Sequence, residues 1–413
     1  MSRDTHPPYL TRLAESHLNA VMTTQPVAVV MGARQTGKST LVAHASATRG
    51  MLRLTLDDLD TRTQALSDPE GLVARADRMA IDEVQRAPDL LIAIKRAVDR
   101  DRQVGRFVLT GSANLLAIKP VQESLAGRAS YVPLWPLTRR ERLGLGSAGV
   151  WQSLFDTPPV QWRDLLESQD VPRESWQHAV RQSQYPPVAV GGFSADQQAD
   201  WLQGYLDTFL ARDVAELSAI ARPLDLLRLM RAACIAVGQP EHQAAWAQTT
   251  GLSTSTVSRW TDLLEVTYQL VRVPAYSVNR TSRLTRKPKL YWSDTAMALQ
   301  LAGNPTPTGA HLENLVLNDL NAWCGSRSQR PVTHHWRTTT QREVDFVVEL
   351  PSGAVLPIEV KATSAPGVGD TIGLRAFLDE YGDTAAGGLL LHSGDDVLVL
   401  GRGIVAAPWW KVL

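Results

Sequence analysis

Along residues 1–145, short apolar runs alternate with amphipathic ones. PVAVVMG, MLRLTL (Met51 to Leu56), RMAID (Arg78 to Asp82), RFVLTGS (Arg106 to Ser112) and SYVPLWPL (Ser130 to Leu137) are short, apolar and rich in β-branched residues, and they predict strands. Segments between them, such as APDLLIAIKRAVDR, repeat their apolar positions at helical spacing. This alternation predicts an α/β unit with a parallel sheet covered on both faces.

The pattern then changes. GLGSAG (Gly144 to Gly149) predicts a linker, and residues 146–225 predict a mostly helical region interrupted at QYPPVAVGGF (Gln184 to Phe193). Aromatic and aliphatic residues in WLQGYLDTFLARDVAEL (Trp201 to Leu217) fall at helical spacing and predict core packing. Residues 226–292 predict helix, helix, turn, helix and two strands. Residues 293–413 predict a helix, GAHLENLVLNDLNAWC, followed by the strands EVDFVVEL, AVLPIEVKA and GGLLLHS, which make a second, separate α/β unit.

Composition adds limits. The chain has 413 residues, 44% hydrophobic and 20% charged, which describes a soluble protein of several domains with a large core. Its 42 basic and 42 acidic residues balance, so local patches must decide any nucleic-acid contact. Cys234 and Cys324 form no CxxC pair, which argues against a disulfide framework or thiolate zinc site and fits a cytoplasmic location. MSRDTHPPYL has no apolar leader core, and no run approaches the roughly 18 apolar residues of a membrane span; no membrane partner is expected.

MGARQTGKST contains Gly32, Ala33, Arg34, Gln35, Thr36, Gly37, Lys38 and Ser39, a complete G-x-x-x-x-G-K-[ST] pattern, followed by Thr40. It lies between a predicted strand and a predicted helix. Glycines let backbone N–H groups wrap phosphate oxygens, and the helix N-terminus favours the anion. Lys38 is expected on the β- and γ-phosphates and Ser39 on Mg²⁺, with ATP or ADP as ligand. MAIDE ends a strand in two acids: Asp82 is expected to hold Mg²⁺ and Glu83 to polarise the attacking water, which points to hydrolysis. FVLTGSAN offers Ser112 or Asn114 to sense the γ-phosphate. Arg128, in ESLAGR, is a candidate arginine finger, acting in its own chain or from a neighbouring subunit of a homo-oligomer.

AWAQTTGLSTSTVSRWTDLLEVTYQLVRVPAY (Ala245 to Tyr276) has the cadence of a winged helix-turn-helix. Gly251 suits a left-handed C-cap, Ser253 an N-cap, and Leu263, Leu264 and Val266 an inward face. Ser255, Ser258 and Arg259 then face outward toward DNA or RNA. Arg280, Arg283, Arg286, Lys287 and Lys289 form a cationic wing for backbone phosphates. A protein-contact module is the alternative.

In the last unit, Glu313 lies on a predicted helix, Asp345 in REVDFVVEL, and Glu359 with Lys361 in PIEVKA. Strand alternation puts Glu359 and Lys361 on one face. The ordered set D…ExK gathers Glu313, Asp345 and Glu359 as ligands for Mg²⁺ or Mn²⁺, and Lys361 to stabilise charge or help deprotonate water, for phosphodiester cleavage.

GARQTGKST, AIDEVQRAPDLL, FVLTGSANLL, SLAGR, YLDTFLARDVAEL, the HLENLV helix and REVDFVV with IEVKA together resemble the bacterial and archaeal AAA-type ATPases that carry a DUF4143 domain. The resemblance covers nearly the whole chain. It implies an AAA-like P-loop ATPase domain over 1–145, a winged helix-turn-helix over 226–292, and a C-terminal α/β module similar to restriction endonucleases over 293–413. It carries the phosphate and Mg²⁺ roles to Lys38 and Ser39, hydrolysis to Asp82 and Glu83, and the nuclease-like centre to Glu313, Asp345, Glu359 and Lys361. The leading expectation is an ATP-hydrolysing protein that acts on nucleic acid with metal-dependent nuclease capacity. The rival is an ATP-dependent regulatory or defence-associated switch whose nuclease-like domain only binds. A small-molecule kinase has no use for Glu83 or the helix-turn-helix.

Overall fold

The protein is described by a computed structural model covering residues 9–111, 125–146, 148–214, 222–279, 283, 286–401 and 403–413. The apolar runs of the first unit form β1 (Val27–Met31), β2 (Leu52–Thr55), β3 (Met79–Asp82), β4 (Phe107–Gly111) and β5 (Ala129–Pro133). They make one all-parallel sheet in the order β2-β3-β4-β1-β5. Val27, Val29 and Met31 face the helix Leu90–Arg100, which buries Leu90, Leu91, Ile94, Ala97 and Val98. Ala28 and Val30 face the other layer, formed by Leu13–Met22 and Lys38–His44. Burial on both faces explains why β1 and β4 read as unbroken apolar runs.

The next segment is helical, and its aromatics are core. Trp151, Trp162, Tyr185 and Phe209 are buried in one cluster that continues into the C-terminal unit. Helices Pro223–Ile235, Gln243–Thr250 and Thr254–Val266 follow, and then β6 (Leu270–Val273) and β7 (Lys289–Trp292), paired antiparallel. Gly251 ends the second helix with φ +73°, and the Ser253 side chain accepts the Thr256 amide at 3.1 Å.

The C-terminal unit is a mixed six-stranded sheet, ordered β12-β13-β11-β10-β9-β8. Its strands are β8 (Val332–Arg337), β9 (Glu343–Glu349), β10 (Val355–Lys361), β11 (Gly388–His392), β12 (Leu398–Gly401) and β13 (Ile404–Pro408). β9 and β10 form the expected antiparallel hairpin. Helix Gly309–Gly325 packs on β10. A polar relay joins the units. Asp294 accepts the Gln184 amide at 2.6 Å and the Ser183 hydroxyl at 3.0 Å, and Asn318 donates to Gln184 Oε1 at 2.8 Å. Trp151 Nε1 donates to Asp319 at 2.6 Å. Among the described residues, no helix is long and apolar enough to cross a membrane.

Candidate functional site

All five strands of the first sheet run the same way, so the chain leaves Met31, Asp82 and Gly111 at one rim. The loop after β1 is tightly packed: a Cβ on Gly32 would collide with the Leu134 carbonyl, and Gly37 adopts φ +89° before the helix starts. Thr36 is buried, and its hydroxyl donates to Ala33 O at 3.0 Å. Lys38 is 5% exposed, with Nζ donating to Gly32 O at 3.1 Å and Ala33 O at 2.8 Å. The lysine therefore stands inside the loop at the position where the sheet's rim and the helix N-terminus meet.

Ser39 Oγ donates to Asp82 Oδ2 at 2.7 Å. The other oxygen of Asp82 accepts from the hydroxyl of Thr110, at the end of β4. The amide of Glu83 also reaches Thr110 Oγ1, at 3.4 Å. Glu83 sits in left-handed backbone at φ +58°, ψ +42°. For a residue with a Cβ this conformation costs on the order of 1–3 kcal/mol and is typically held by its surroundings at functional positions. Gln85 Nε2 donates to the Glu83 carboxylate. Burial raises the Glu83 pKa above the ordinary value, and the charge of Lys38 opposes that rise. A raised pKa makes a better proton acceptor once the group is ionised.

A second feature was not read from the sequence. Tyr9, Leu10, Arg12, Gly37, Thr40, Leu137, Pro186, Pro187 and Val190 line a cavity of about 230 Å³ beside the loop. Tyr9 stacks on His44 with ring centroids 4.3 Å apart. Arg12 donates to Thr36 O at 2.8 Å and Trp135 O at 2.7 Å, and pairs with buried Glu141 at 3.1 Å. Arg12 belongs to no motif, and Thr110 and Gln85 lie within FVLTGSAN and AIDEVQ at positions from which no role was read. Only the strand register, with Ile81 opposite Leu109, signals that Thr110 stands beside Asp82.

Arg34 and Gln35 lie in the loop as expected, but Arg128 does not reach it. Arg128 precedes β5, and Val27 N bonds to its carbonyl, so it stands at the opposite rim, a full strand away at about 3.3 Å per residue. Its guanidinium is held by Asp99 at 2.6 and 2.8 Å. A finger role within the same chain is thereby corrected. Ser112 and Asn114 lie outside the described residues.

The wing is corrected in part. Arg283 is taken by Glu349 at 2.6 Å and stacks over Tyr276. Lys289 is buried, 3% exposed, and faces away from any solvent-borne phosphate. Arg286 and Lys287 are exposed, as are Ser255 and Arg259, with Ser258 half-buried. Arg280 lies outside the described residues.

The C-terminal acids do come near one another, around Lys289. Its Nζ lies 3.3 Å from Asp345 Oδ1 and 3.9 Å from Glu313 Oε2, and it pairs with Glu343. Tyr291 OH donates to Glu313 at 3.0 Å, Val360 N to Asp345 Oδ2 at 2.9 Å, and Lys361 Nζ to Glu359 Oε1 at 2.6 Å. Burial, with the nearby Asp345 charge, pushes Glu313 and Glu359 up to about 8. Burial alone would lower the Lys289 pKa, but Asp345, Glu313 and Glu343 reverse it and keep the ammonium charged. Among the described residues, no three His, Cys, Asp or Glu side chains are arranged to hold a metal ion. Of the expected metal set, Glu313 and Asp345 thus face the Lys289 ammonium, while Glu359 is paired with Lys361.

Residues 24–143 match the family described as an AAA domain, and residues 308–412 match the domain of unknown function DUF4143. Residues 174–308, between them, match DUF8612. Uncharacterized proteins of Mycobacterium bovis and Mycobacterium tuberculosis are each 28% identical over 412 residues, spanning 97% of this chain and 84% of theirs. Among solved structures, a Walker-type ATPase of Pyrococcus abyssi aligns at 15% identity with a TM-score of 0.42, over 72% of this chain and 99% of that one. A DNA replication initiation factor aligns at 13% identity with a TM-score of 0.26, over 60% and 86%.

Proposed function

We propose that this chain, which belongs to the AAA ATPases carrying a C-terminal DUF4143 domain, is an ATP-driven switch: it hydrolyses ATP at the loop after β1 and contacts a partner through its remaining units. The observation that carries the reading is the contact of Ser39 with Asp82, braced by Thr110 and set beside Lys38. A hydroxyl and a half-buried carboxylate are hard oxygen donors and fit Mg²⁺. When bound there, that ion supplies neutralising charge to the phosphates.

The chain's own groups then have defined tasks. The loop amides and Lys38 bind the triphosphate, and the cavity between Tyr9 and Pro186 receives the nucleobase. Glu83 takes a proton from the attacking water as its oxygen bonds to the γ-phosphorus. The bond to the bridging oxygen breaks, and ADP and inorganic phosphate leave. The buried lysine stabilises the charge on the transferred group.

Nucleic acid is the partner class favoured by the outward face of Thr254–Val266, where Ser255 and Arg259 are exposed four residues apart, together with exposed Arg286 and Lys287. The reading is tested by turnover. Lys38→Ala is expected to lose ATP binding, and Glu83→Gln to bind ATP but hydrolyse it at least about a hundredfold more slowly. Unchanged turnover in Glu83→Gln would move the base elsewhere, and ATP binding by Lys38→Ala would remove the site.

A further inference from the structure

The C-terminal unit gathers the acids that the sequence reading expects in a metal-dependent phosphodiester-cleaving centre, yet a lysine from outside that unit stands among them. Lys289 is the first residue of β7, and the acids come from helix Gly309–Gly325 and from β9 and β10. Its ammonium is shared by Asp345 at 3.3 Å, Glu313 at 3.9 Å and Glu343. This lysine is fixed. Its backbone pairs with Val273 in the β6–β7 ladder, and its neighbour Leu290 accepts the Gly238 amide at 2.7 Å. Three residues along, Trp292 exchanges two hydrogen bonds with the Asn314 side chain, at 2.9 and 2.6 Å, one helical position from Glu313. The acid and the lysine are therefore registered to each other by paired backbone and a buried amide.

A divalent ion shared by Glu313 and Asp345 would lie within contact range of this ammonium, in a buried setting where like charges repel strongly. The residues present therefore do not fit a metal while Lys289 is in place. We propose that Lys289 is the resident cation of the centre, holding the position between Glu313 and Asp345 that a divalent ion would take, so that the C-terminal unit recognises its partner without cutting it. The ammonium also ties β7 to the C-terminal sheet, which makes the centre a charged clamp between two units. Lys361 is the second cation of the clamp, satisfied by Glu359. This inference concerns only the C-terminal unit and does not depend on the nucleotide reading.

The test uses the full chain without nucleotide, in an Asp82→Asn background so that the phosphate loop contributes no ion. Mn²⁺ is titrated and followed by the loss of its free paramagnetic resonance signal, with thermal midpoints recorded alongside. The parent is expected to show no Mn²⁺ binding that Asp345→Asn alters, and no rise in midpoint with Mn²⁺. Adding Lys289→Met is expected to create a bound ion that Asp345→Asn then abolishes, with a midpoint that rises with Mn²⁺. Parent binding of Mn²⁺ that disappears with Asp345→Asn would overturn the proposal. A folded Lys289→Met protein that gains no ion would overturn it equally. If Lys289→Met does not fold, the comparison of parent with Asp345→Asn alone decides.

Discussion

The guanidinium of Arg12 lies 3.1 Å from the carboxylate of Glu141, and through that pair the phosphate loop is tied to the chain beyond β5. Arg12 also holds the Thr36 and Trp135 carbonyls, while Glu141 accepts the amides of Leu13 and Thr138. Arg12→Ala leaves a buried carboxylate without its cation and should cost about 3–5 kcal/mol of stability, read by urea unfolding. Arg12→Lys should recover little, because one ammonium cannot serve three acceptors in a planar fork. Full recovery by lysine would show that only the charge matters.

Thr110 braces both acids of the site. Thr110→Val keeps the shape and removes the hydroxyl that bonds Asp82 and receives the Glu83 amide. Steady-state kinetics should show kcat falling by about tenfold to a hundredfold with KM nearly unchanged. A change in KM alone would place Thr110 in nucleotide binding instead.

Gly32 has no space for a side chain against Leu134. Gly32→Ala should displace the loop and abolish ATP binding by calorimetry, while the fold survives by circular dichroism. Retained affinity would show that β5 can yield at this point.

Asp319 gives a pH signature. Burial pushes its carboxyl up to about 7, with Trp151 donating to it and Arg140 offsetting part of the shift. The folded pKa lies above the unfolded one, so the protonated form is favoured by folding. The resulting stability is complete at acid pH and is lost as pH rises toward about 7. Asp319→Asn keeps an acceptor for Trp151 and cannot ionise. Its stability relative to the parent should therefore grow between about pH 5 and about pH 8, seen as a widening gap in thermal midpoints. A constant gap would mean that Asp319 does not titrate there.

Nucleic-acid contact is separable from structural charge. If the exposed Arg286 and Lys287 meet phosphates, replacing both by alanine should lower the slope of log K against log salt by roughly 2 on duplex DNA. Arg283→Ala should leave the slope unchanged and reduce stability, since Arg283 is spent on Glu349. The opposite pattern would reverse their roles.

The phosphate loop was legible because its chemistry is local: Gly32 to Ser39 are contiguous, and Asp82 ends an apolar strand with Glu83 directly after it. The five strands of the first sheet, and β9, β10 and β11 of the C-terminal sheet, were legible from apolar runs, and the β9–β10 hairpin from PSGAV between them; β8, β12 and β13 were not. What lay hidden depends on residues that meet only after folding. Thr110 looks like an ordinary strand threonine until the parallel register sets it beside Asp82. Lys289 sits in a run of basic residues and reads as a solvated wing cation, because the three carboxylates that surround it come from two other elements, the helix Gly309–Gly325 and β9. Arg128 failed for the converse reason: proximity in sequence to the site's strands gave no information about which rim it occupies.

The cavity wall at Pro186 and Pro187 adjoins Gln184, whose amide is held by Asp294 and whose side chain is gripped by Asn318. One turn before Asn318 lies Asn314, clasping Trp292 at the end of the strand that begins with the buried lysine. A continuous string of amide links therefore runs from the proline wall of the phosphate-loop cavity to the acidic cluster around Lys289.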